Sequence, residues 1–115
     1  MSGPRRTVDL ANLADEAALH GELARVLGFP AVYTHDWNAF IDCMTSLDQP
    51  SAELTNVHVA SGEVLLLELE RVDGFATRCP NGWTALVDCT AFVNWRRRER
   101  GLDAVVALAY DREAP

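Results

Sequence analysis

Val64-Leu65-Leu66-Leu67-Glu68-Leu69 is a near-continuous apolar run, and it constrains the fold more than any other stretch of the chain. A strand with one wet face alternates apolar and polar residues. A run without that alternation predicts a central strand covered on both faces, as in a parallel sheet under helices. Ala104-Val105-Val106-Ala107-Leu108 is a second such run, and the two are expected to be interior neighbours. Thr7-Val8-Asp9-Leu10 alternates weakly and predicts a short first strand. Asn56-Val57-His58-Val59 has the composition of a short edge strand.

Helical patterns separate these runs. Leu19, Leu23, Val26 and Leu27 share one face of a helix over Ala14–Leu27, with Gly28 as its stop and Pro30 behind it. Asp36 is suited to cap a second helix from Trp37 to about Leu47. Asp73 caps a short helix from Gly74 to Arg78, and Pro80-Asn81-Gly82 separates it from the last one. That last helix keeps helical spacing from Trp83 to Arg100 and ends at Gly101. Trp83 and Trp95 are expected to be core or helix-packing residues. Strand, helices, strand, helices, strand is the order of an α/β fold, a small parallel sheet with covering helices and right-handed crossovers.

The chain has 115 residues, enough for one domain, with residues 1–6 and 111–115 expected as loose tails. No apolar run approaches the ~18 residues of a membrane helix. Met1-Ser2-Gly3-Pro4-Arg5-Arg6 has no apolar stretch behind it, so a cytoplasmic location is expected. A net charge of −7 argues against direct nucleic-acid binding. Charge is uneven: Val26 to Glu70 carries seven acids and no Lys or Arg. The basic cluster Arg96-Arg97-Arg98-Glu99-Arg100 is expected to be a solvated helix end. Cys43, Cys79 and Cys89 form no CxxC pair, and Cys43 and Cys89 fit buried positions. His20, His35 and His58 lack zinc spacing, so neither a metal nor a cofactor is expected.

The chemistry concentrates in Tyr33 to Met44. With about 100° per residue, Trp37, Phe40, Met44 and Leu47 form a core stripe. Asn38, Asp42 and Thr45 fall on the opposite side, and Ile41 lies half-exposed at its edge. His35 beside Asp36 has no nucleophile, second base or Gly-rich cradle, which points to binding rather than catalysis. Tyr33 fits either a loop aromatic folded over the core or an interface anchor.

Leu27-Gly28-Phe29-Pro30, the tyrosine-bearing loop and Trp37-Asn38-Ala39-Phe40-Ile41-Asp42-Cys43-Met44 together resemble the barstar family of intracellular inhibitors of secreted ribonucleases. Ala91-Phe92-Val93-Asn94-Trp95-Arg96-Arg97 is similar to one branch of barstar-related proteins. The order of elements matches from about Thr7 to Leu108. The resemblance implies a three-stranded parallel sheet with about four helices. It also implies a one-to-one block of a basic ribonuclease or ribonuclease-type toxin by the loop and second helix. Asp42 would sit in the phosphate pocket, and Tyr33, His35, Asn38, Ile41 and Thr45 would join the contact. The family's second aspartate falls on Asn38, and acidic positions of the last helix fall on Arg96 and Arg100. These changes imply a different ribonuclease, or a target with a mixed-charge face. The alternative is a barstar-fold interaction module whose partner is no nuclease.

Overall fold

The computed structural model describes residues 3–112. Three parallel strands, β1 (Arg5–Asp9), β2 (Leu65–Glu70) and β3 (Val106–Tyr110), form one sheet in the order β1-β2-β3. Four helices complete the fold: α1 (Glu16–Leu27), α2 (Trp37–Thr45), α3 (Val72–Arg78) and α4 (Pro80–Glu99). A 3-10 turn occupies Pro50–Ala52. The expected α/β architecture is therefore present.

The central run forms β2, but it is sealed on one face only. Leu65, Leu67 and Leu69 are buried, in register with Val106, Leu108 and Tyr110 of β3. Leu66 and Glu68 are half-buried, and Glu68 holds Arg5 of β1 in a salt bridge at 2.6 Å. The run lacks alternation because leucine also fills its outer face, an arrangement that costs little. The second apolar run is β2's neighbour, but β3 lies at an edge, since three strands leave only one interior place.

Other expectations need correction. Residues 5 and 6 are not a loose tail: they begin β1, and Pro4 O accepts from Leu66 N. At the other end, Arg112 pairs with Asp73 at 2.9 Å and its guanidinium lies over Trp83. Residues 1, 2 and 113–115 lie outside the described range. Asn56–Val59 makes no strand; Val57 and Val59 are buried, and Asn56 N and Val59 N donate to Leu27 O and Leu47 O. The short third helix starts at Val72, so Asp73 falls within its first turn rather than capping it. Cys43 is buried as expected, but Cys89 is only half-buried.

Two departures concern α4. Trp95 is 56% exposed and stacks on Phe92, so it does not pack inward. Arg97 is 3% exposed rather than solvated. Its guanidinium donates to both carboxylate oxygens of Asp48 at 3.1 and 2.9 Å, and to the carbonyls of Thr45 and Asp103. A buried cation is tolerated only when its donors are satisfied in this way. The clamp fixes the end of α2 against α4, which is what positions the candidate site.

Candidate functional site

The site starts from a well-capped helix. Asp36 precedes α2 in extended conformation, and its Oδ1 accepts from Ala39 N at 2.8 Å. Thr34 donates its hydroxyl to the other carboxylate oxygen. The two bonds, Thr34's first, hold the Asp36 carboxyl below the usual range. The helix ends at Thr45, two residues short of the expected Leu47. The Thr45 hydroxyl donates back to Ile41 O, which places it half-buried against the helix.

The inward face of α2 is packed hard. Phe40, Met44 and Leu47 are fully buried, each worth about 1.5–3 kcal/mol of burial. Trp37 is only half-buried, and its indole N–H donates to Glu16 of α1 at 2.8 Å. Ile41 departs from the expected half-exposed edge: it is 9% exposed and part of the core. α4 packs closely against α2, and burial that comes from tertiary packing is not visible to a spacing rule within one helix.

The loop before α2 is braced from beneath. Tyr33 is 8% exposed and its hydroxyl meets His20 Nδ1 at 2.6 Å. Of its two readings, the structure takes the aromatic folded over the core. Phe29, His20 and His35 surround the Tyr33 ring at 4.7, 5.8 and 5.2 Å between centroids. Burial pushes the His20 imidazole below its ordinary value and the Tyr33 hydroxyl well above its own. His35 is exposed at φ 57, a left-handed conformation that Thr34 avoids. A non-glycine residue there stores strain of about 1 kcal/mol or more.

On the outward face, Asn38 and Asp42 are both exposed, one turn apart. The Asp42 side chain is 69% exposed, and its Oδ1 lies 3.6 Å from Arg96 Nη1 of α4. In the loop before the helix, Thr34 and Val32 are exposed, Val32 at 81%. The surface thus brings together His35, Asn38 and Asp42 from the expected set, leaves Thr45 half-buried, and turns Tyr33 and Ile41 inward. The resemblance put Arg96 near this surface, but not its approach to Asp42, and the helical spacing gave no sign of the exposed Val32. A lone exposed valine in a loop carries no periodic signal, and the Arg96 contact joins segments far apart in the chain.

Chemically, the arrangement offers one projecting carboxylate, one amide and a loop on a rigid base. No group of three or more His, Cys, Asp or Glu able to hold a metal occurs among the described residues. Among them, no helix is long and apolar enough to cross a membrane.

A search of curated proteins finds no match. The family model described as "Barstar (barnase inhibitor)" matches residues 4–109, nearly the whole chain. With the three-stranded parallel sheet, the four helices and the capped α2, that match places the chain in the barstar family of barnase inhibitors.

Proposed function

We propose that the chain is a one-to-one protein inhibitor of a basic ribonuclease or ribonuclease-type toxin. It silences the enzyme in the cytoplasm by entering its active site with α2 and the preceding loop. The observation that carries this reading is the Asp42 carboxylate, 69% exposed on a helix whose other side is locked in the core. A ribonuclease site must hold a phosphodiester anion, and a rigid carboxylate can imitate one for the cations of that site. Asn38 supplies hydrogen bonds one turn away, and His35 presents an imidazole at the loop's end. Thr45, half-buried, contributes at the rim. Tyr33 and Ile41 act from beneath, as the packed support that keeps the surface in one conformation and lowers the entropy cost of binding.

The acidic balance of the chain favours a basic partner and speeds encounter with it. Catalysis and direct RNA binding are not part of this role. A second reading, a partner that is no nuclease, draws on one observation: Arg96 stands beside Asp42, where a purely cationic cleft would meet repulsion.

Co-purification from the native host, followed by a ribonuclease assay of the bound protein with and without added chain, tests the proposal. Inhibition that is complete at one equivalent is expected. A tightly bound partner without nuclease activity would favour the second reading.

A further inference from the structure

Arg96 of α4 and Asp42 of α2 approach to 3.6 Å without forming a hydrogen bond. The Asp42 side chain is 69% exposed and that of Arg96 33%, so an incoming group can reach both. An exposed pair of this length is weak, and it can be exchanged without disturbing the fold. Arg98 and Arg100, both exposed and unpaired among the described residues, add positive charge at the same helix end.

We infer that Arg96 is the specificity-determining residue of this surface. Tight binding requires a partner that offers Asp42 a cation and, within a few ångströms of it, offers Arg96 a carboxylate. The inference rests on the ribonuclease-inhibitor reading above and specifies the face of the nuclease that fits. A cation touching Asp42 necessarily comes within a Debye length of Arg96, about 8 Å at physiological salt, where like charges still repel. A carboxylate set opposite Arg96 turns that repulsion into attraction. The internal ion pair is then replaced by two pairs across the interface. A nuclease cleft lined by cations alone meets Arg96 as an obstacle, and discrimination of this kind comes from the repulsive element as much as from the attractive one.

Barnase, the nuclease named in the family's description, serves as the probe. Its binding is measured by calorimetry with the unaltered chain, Asp42→Ala, Arg96→Gln and the double variant, each checked for folding by circular dichroism. Arg96→Gln is expected to tighten binding about five- to tenfold when Asp42 is present, and by less than about twofold in the Asp42→Ala background. Equal or weaker binding of Arg96→Gln overturns the inference. So does an equal gain in both backgrounds, which would report bulk charge, and so does a failure of Arg96→Gln to bind barnase at all. If Asp42→Ala weakens binding while Arg96→Gln brings no gain, the role of Arg96 alone is refuted. If Asp42→Ala leaves binding unchanged, the inhibitor reading of that carboxylate falls with it.

Discussion

Arg97 of α4 holds Asp48, three residues beyond the end of α2, with two guanidinium nitrogens at 3.1 and 2.9 Å. The same side chain donates to Thr45 O, so one buried cation fixes both the last residue of the candidate binding helix and the chain that leaves it. Arg97→Ala strands the Asp48 carboxylate and two carbonyls at once. It is expected to lower stability by about 3 kcal/mol, read by urea denaturation. Arg97→Lys is expected to recover only part of that loss, because an ammonium cannot span both carboxylate oxygens.

The same clamp predicts an acid response. Hydrogen bonding from Arg97 holds the Asp48 carboxyl below its ordinary value. Its contribution to stability is therefore present above the unfolded-state value and is lost as pH falls through the folded one. Between pH 5 and pH 2 the unaltered chain is expected to lose stability more steeply than Asp48→Asn.

His20 predicts a second response with a different origin. Burial lowers its folded pKa from the ordinary 6.5, so the unfolded chain takes up the proton more readily. Stability is expected to fall as pH drops below about 6.5, and His20→Phe should remove that slope. Because the imidazole meets the Tyr33 hydroxyl, the acid transition should also change Tyr33 fluorescence or ring shifts.

Gly28 closes α1 at φ 68, and a Cβ placed there would lie 2.6 Å from the side chain of Asn56. Gly28→Ala is expected to cost about 1–3 kcal/mol, from left-handed strain and displacement of the Asn56 segment. Trp95→Ala, on the exposed side of α4, is expected to change stability by less than about 1 kcal/mol. A loss comparable to that of a core tryptophan would contradict its outward placement.

Much of this molecule was legible in its sequence, and the boundary has a physical reason. Local signals carried well. Asp36 caps α2 as its side chain requires, Gly28 ends α1, and the Phe40–Met44–Leu47 stripe is the core face. Features set by distant partners did not carry. A run of arginines reads as solvated until Asp48 is brought to Arg97 from 49 residues away. Ile41 looks half-exposed by helical spacing, yet it is buried. Arg5 and Arg6 look like a tail until they pair with Leu66 and Leu67 of β2 and Glu68 takes the Arg5 guanidinium. The contact between Arg96 and Asp42 belongs to the same class.

On the proposed reading, Asp42 stands in for an RNA phosphate in a ribonuclease's cationic site. The direct measurement is a titration of the nuclease that co-purifies with the chain, using unaltered protein and Asp42→Ala at two salt concentrations. Asp42→Ala is expected to raise the inhibition constant at least about thirtyfold, the scale of an interface hot spot, and to flatten its salt dependence. Equal inhibition by the two proteins, with the same salt slope, would contradict it.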